Sequence, residues 1–167
     1  WRWIIAPHEV NSERIEKLKS LLEKNFPKME LQIYSTFNEK KKWDILIVDQ
    51  IGKLFSLYEF ADACFVGGSF KEKVHSVMEP LSYNKYVLVG PYIYNNREAI
   101  EFAKINLIQK VRMVQVVQNE TQMRDILLQI EKVTTEDRIK DFFKIQETFN
   151  TKKSASHKIF AAVFKII

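Results

Sequence analysis

Short apolar runs alternate along this chain with segments of helical period, and that alternation most narrows what the chain can fold into. The runs lie at 3–6, 30–33, 44–48, 63–66, 86–89 and 112–117, and several are rich in valine and isoleucine, as strands covered on both faces are. Strands joined by helical crossovers build a parallel sheet, so the expected class is α/β, a Rossmann-like parallel sheet with helices on both faces. The first crossover opens at Asn11-Ser12-Glu13, carries Ile15, Leu18, Leu21 and Leu22 on one face, and closes before Pro27. Further helices are expected over 52–60, 76–84, 95–103 and 120–133. From Thr135 onward the chain reads as helix with no further strand, which divides it into a sheet domain, 1–134, and a helical tail, 135–167. Within the tail, Ile159, Phe160, Val163, Phe164 and Ile167 form an apolar stripe flanked by Lys153, Lys158 and Lys165. Such a stripe packs on this domain or on a missing N-terminal one, or meets a membrane surface.

At 167 residues, with 46% hydrophobic and 28% charged residues, the chain has the makings of a globular core and not of disorder. Its net charge of +5 comes from lysines spread along the sequence, including Lys40-Lys41-Lys42. That spread reads as a solvated surface, not a nucleic-acid track; an anionic partner would be a phosphorylated ligand or an acidic membrane surface. The single Cys64 excludes an internal disulfide and reads as a small buried hydrophobe. No run of about 18 apolar residues is present to span a bilayer. The opening residues do not resemble a signal peptide, so a cytoplasmic location is expected. The chain starts at Trp1 already within a strand, and it reads as an excised fragment.

In an open parallel sheet, ligands bind beyond the carboxyl ends of the strands, so the loops after the strands are the places to look. Pro7 ends the first strand and places His8 at the rim. After the third strand come Ile51, Gly52 and Lys53, where the glycine allows close backbone approach and a helix start offers amides. After the fourth come Gly67, Gly68 and Ser69, a turn that can present amides and a hydroxyl to a phosphate. His75, Ser76 and Glu79 follow at the expected start of the next helix, with one helical turn placing His75 and Glu79 on the same side. A carboxylate there can accept two hydrogen bonds from the vicinal hydroxyls of a ribose. The fifth strand ends in a second turn, Gly90-Pro91.

The order strand, Gly-Gly-Ser, histidine, Glu-Pro, strand, Gly-Pro resembles the donor-binding domain of GT-B glycosyltransferases. Within them it is most similar to the lipid A 3-deoxy-D-manno-octulosonic acid (Kdo) transferases. Phe65 to Ser69, His75, Met78 to Pro80 and Gly90-Pro91 carry the likeness, and Ala6-Pro7-His8 and Asp49 to Leu54 extend it. The chain departs from the family pattern at Lys73-Val74 and Ser76, where two glycines and an asparagine are usual, and it lacks the arginine before His8. The resemblance implies a site for the donor CMP-Kdo with Glu79 on the ribose hydroxyls, Gly68 and Ser69 on the phosphate, and Ile51, Gly52 and Lys53 on the nucleotide's other edge. His8 and His75 would lie near phosphate or sugar carboxylate. It further implies an inverting transfer of Kdo to a lipid A precursor at the cytoplasmic side of the bacterial inner membrane, with no metal and no cofactor. No catalytic residue is expected in this fragment, since the general base and the acceptor site belong to an N-terminal domain; alone the fragment should be inactive. A transferase or epimerase using a UDP-sugar, or a non-catalytic α/β binding module, stays open as an alternative.

Overall fold

The computed structural model describes residues 1–72, 74–107 and 111–164, and for 152–164 the backbone alone. The chain forms two compact units, Trp1–Leu57 and Tyr58–Ile167. Each is built on three parallel strands.

In the first unit, β1 (Trp3–Ile5), β2 (Leu31–Ile33) and β3 (Ile45–Ile47) pair in the order β1-β3-β2, with Ile5 and Ile33 both opposite Ile47. The central strand is buried along its length while both outer strands are only part-covered. Helix α1 (Ser12–Asn25) makes the first crossover. Asn11 caps it by accepting from the Arg14 amide at 2.9 Å, and the helix stops short of Pro27, which could not continue its hydrogen bonding. Its inward anchor is Ile15, whereas Leu21, expected on the same face, is 58% exposed. A short helix α2 (Leu54–Leu57) ends this unit.

The second unit opens with a 3₁₀ turn, Tyr58–Phe60, so the helix expected over 52–60 is two short pieces. Here β4 (Ala63–Val66), β5 (Tyr86–Val89) and β6 (Val114–Val116) pair in sequence order, Val66 opposite Val89 and Val89 opposite Val116. Helices α3 (Met78–Ser82), α4 (Arg97–Phe102) and α5 (Glu120–Glu131) fill the crossovers, α4 and α5 capped by Asn96 and Asn119. One apolar cluster runs through the unit, with Phe102, Leu81, Leu88, Met113 and Ile130 fully buried around β5.

Helix α6 (Thr135–Phe164) matches the expected tail, and its first half packs on this unit. Ile145 joins the apolar cluster and Phe149 meets Phe102 with ring centres 5.6 Å apart. Polar ties fix its position: the Tyr86 hydroxyl donates to Asp141, 2% exposed, at 2.7 Å, and Arg138 pairs with Asp62 at 2.8 Å. The apolar stripe around Ile159 to Ile167, with its flanking lysines, lies outside the residues whose side chains are described. Among the described residues no helix is long and apolar enough to cross a membrane.

Candidate functional site

In the first unit, parallel pairing sends the loops after β1 and β3 out of the same end of the sheet. The Val48 amide donates to the Ile5 carbonyl at 2.9 Å, one step past the strands, so Pro7-His8 and Asp49 to Lys53 start side by side. Gly52 has φ +80°, a left-handed conformation costly for residues with a Cβ, and no atom lies within 4 Å of where a Cβ would stand. Ile51 beside it is 84% exposed. The helix that follows is a single turn, and the carbonyl of Lys53 accepts from the Leu57 amide at 3.3 Å and the Ser56 hydroxyl at 2.9 Å. The third strand end is tied in by Asp49, which accepts from the amide and hydroxyl of Ser35 after β2, at 2.9 and 2.5 Å. Burial acts to raise the Asp49 pKa, yet these Ser35 hydrogen bonds outweigh it and hold the carboxyl below its ordinary 3.8.

The second unit gathers Gly68, Ser69, His75, Ser76 and Glu79 around the ends of β4 and β5. Gly68 takes φ +90°, and the space about Gly67 is open. The carbonyls of this turn are all engaged: Gly67 accepts from the His75 amide at 3.2 Å, Gly68 from Lys71 at 3.1 Å, and Ser69 from Tyr92 at 2.9 Å. Among the described residues no peptide bond is cis, so the amides of Gly68, Ser69 and Phe70 point away from the partners of the carbonyls before them.

Ser69 departs from its expected role. Its side chain is fully buried, and its hydroxyl donates to the Val66 carbonyl at 3.3 Å and accepts from the Gly90 amide at 2.6 Å. The hydroxyl therefore joins the Gly-Gly-Ser turn to the Gly-Pro turn. Gly90 is required by the same contact, because a Cβ there would stand 2.8 Å from both the Ser69 carbonyl oxygen and the Phe70 ring. Sequence showed both turns but not that they interlock, since nothing local distinguishes a serine facing inward from one facing out.

His75 and Glu79 are not one turn apart on a common helix. α3 begins only at Met78, and His75 lies in the irregular segment before it, with its amide on Gly67 and its carbonyl accepting from the Asn96 side chain at 3.3 Å. Three contacts hold the segment out of the helix: the bond to the glycine turn, the clasp from the α4 cap, and Val74 and Val77 anchored in the core. Both side chains, and that of Ser76, face solvent. Lys73, where the chain departs from the family pattern, lies outside the described residues. The Glu79 carboxylate faces the Tyr58 phenol, whose pKa is pushed up to about 12, chiefly by burial, then by the charges of Glu79 and Cys64. Tyr58 was missed at the sequence level, where it falls within an expected helix. Cys64 is buried as expected, its thiol pushed up to about 12 and unreactive at neutral pH.

Searches for relatives agree with this geometry. No family model matches the chain. A bifunctional glycosyltransferase/methyltransferase from Fusobacterium nucleatum is 30% identical over 127 residues, 70% of this chain and 20% of that protein. A 3-deoxy-D-manno-octulosonic acid transferase from Chlamydophila psittaci is 34% identical over 91 residues, 53% of this chain and 21% of the other. The chain thus spans about a fifth of the length of these curated relatives. Among solved structures, the C-terminal CMP-Kdo binding domain of WaaA from Acinetobacter baumannii has the same fold, with a TM-score of 0.65 and 24% identity over 86% of this chain and 72% of that domain. By sequence the chain is similar to the 3-deoxy-D-manno-octulosonic acid transferases, and its fold is that of the C-terminal CMP-Kdo binding domain of one solved structure.

Proposed function

We propose that this chain is the donor-binding domain of a glycosyltransferase that moves Kdo from CMP-Kdo to a lipid A precursor at the cytoplasmic face of the inner membrane. The observation that carries the reading is the Gly67-Gly68 turn at the carboxyl end of β4, open about Gly67 and with Gly68 at φ +90°, in a chain similar to Kdo transferases. In this reading the CMP phosphate sits at the Gly68-Ser69 turn, where Gly68 is exposed, while the buried Ser69 hydroxyl holds the turn in place. Glu79, exposed at the start of α3, accepts from the ribose hydroxyls. His75 and Ser76, in the same unit, border the phosphate and the sugar carboxylate. Transfer breaks the bond between the Kdo anomeric carbon and the CMP phosphate, so negative charge gathers on departing CMP; amides aimed there favour that state over the intact donor. The base that activates the acceptor, and the acceptor site itself, belong to a second domain.

A ligand that binds the folded state raises its stability by RT ln(1 + [L]/Kd), about 2.7 kcal/mol at a hundredfold excess over Kd. CMP should therefore raise the midpoint of thermal unfolding and UDP should not. Glu79→Ala, at an exposed position, should fold unchanged and lose the CMP response; a variant that keeps it removes Glu79 from the ribose. A response to UDP alone would overturn the choice of donor.

A further inference from the structure

The first unit carries a second built surface, formed by the loop that enters β3 at the end opposite the strand-end site. Gln32, on β2, clasps this loop: its side chain donates to the carbonyls of Asn38, Lys41 and Lys42 at 3.2, 3.1 and 3.4 Å and accepts from the Asn38 amide at 2.8 Å. Asn38 closes the turn further by accepting the Lys40 amide on its side chain and the Lys41 amide on its carbonyl, each at 3.0 Å. The result is a fixed turn that displays Lys40, Lys41 and Lys42 to solvent. Among the described residues neither Lys40 nor Lys41 has an ion-pair partner, and Lys42 reaches Asp44 only at 3.9 Å with its side chain 76% exposed. Glu39 shares the turn, and the Asp44 carboxylate at its foot is taken up by the Glu30 amide at 2.9 Å. Aromatic rings border the cations. Phe37, 41% exposed, packs T-shaped on Trp43 with ring centres 6.1 Å apart, and the Arg2 guanidinium lies over the Trp43 ring at 5.0 Å.

We propose that this turn, Lys40 to Lys42 with Phe37, Trp43 and Arg2, docks the domain on an anionic lipid bilayer. A bilayer surface attracts clustered lysines through its negative potential and accepts aromatic side chains at the headgroup level, and this turn offers both within a few residues. Nucleic acid fits less well. A base would stack on the Trp43 ring where the Arg2 guanidinium already lies, 5.0 Å from its centre. The surface goes beyond the donor-site reading.

The test is sedimentation of the full 167-residue chain with vesicles of phosphatidylcholine, with and without phosphatidylglycerol. The chain should bind the phosphatidylglycerol vesicles, release with added salt, and ignore pure phosphatidylcholine. K40Q/K41Q/K42Q should weaken binding on the order of a hundredfold, Phe37→Ala should weaken it less, and both variants should melt as the parent does. Equal binding of the triple variant, equal binding to both vesicle types, or tighter binding to an oligonucleotide duplex than to vesicles would each overturn the proposal. The CMP melting response, measured on the same triple variant, is unaffected in either case and separates failure of this surface from failure of the donor site.

Discussion

The two units start from the same plan, three parallel strands with a central one buried throughout, and differ in what covers them. In Tyr58–Ile167 the sheet is enclosed, and its cluster takes in residues from every strand, from α3 to α5 and from α6. In Trp1–Leu57 full burial is confined to Ile15 and the run Ile45 to Val48, while Leu21, Phe26, Ile51 and Phe55 remain between 49 and 84% exposed. A unit of this size buries a smaller share of its surface than a larger one can. Its order rests correspondingly more on polar clasps, Asp49 to Ser35 and Gln32 to the lysine turn, than on packing. Burial fixes the scaffold in one unit; hydrogen bonds fix the loops in the other.

That contrast can be broken by mutation. The largest effect is expected at Phe102, which is fully buried and packs on Phe149: Phe102→Ala should cost about 3–5 kcal/mol in urea unfolding. Leu21→Ala in α1 should cost well under about 1 kcal/mol by the same measurement, because most of that side chain is already in water. Similar costs at the two positions would erase the distinction. Ser69→Ala comes next, at about 1–3 kcal/mol, since it leaves the buried Gly90 amide without its acceptor. It should also blunt the CMP response by loosening the turn, while Ser76→Ala, at an exposed position, leaves stability where it was.

The smallest effects separate the units by pH. Asp49 titrates below 3.8 in the folded state, so the stability it adds is present above that pH and is lost as the pH falls through its lowered pKa. Tyr58 behaves in the opposite sense: its pKa is raised from 10.0 to about 12, so its contribution is intact below pH 10 and fades as the pH rises towards 12. Asp49→Asn should flatten the acid limb of a stability profile and Tyr58→Phe the alkaline limb, each without touching the other. A single limb altered by both substitutions would mean that the two groups report on one common unfolding.

Strand positions were legible because they follow from local pattern: β4 and β5 fall where their apolar runs predict, and β1, β2, β3 and β6 lie within theirs. Asparagine caps at 11, 96 and 119 are likewise local signals. Chain direction at the site was harder to read. The expectation of a helix from 76 overlooked that Val74 and Val77 are pinned in the core and that Gly67 and Asn96 hold His75 from two sides, all of them contacts distant in sequence. The same holds for Ser69, whose partner Gly90 lies twenty-one residues on, and for Asp49, whose partner lies fourteen residues back. Composition and period reveal which side chains prefer burial, but a hydroxyl or carboxylate at a strand end takes whichever partner the register brings.

Gly90 and Ser69 also set a rule for how this chain can vary. The carbonyl of 69 and the ring of Phe70 fill the space that a side chain at 90 would need, and the amide at 90 is what the hydroxyl of 69 serves. Neither position can drift alone: an alanine at 90 displaces the carbonyl of 69, and a larger residue at 69 has no room between the strand ends. Variants that reach a different turn here must change both together, so the two glycine turns are inherited as one unit although the chain writes them far apart.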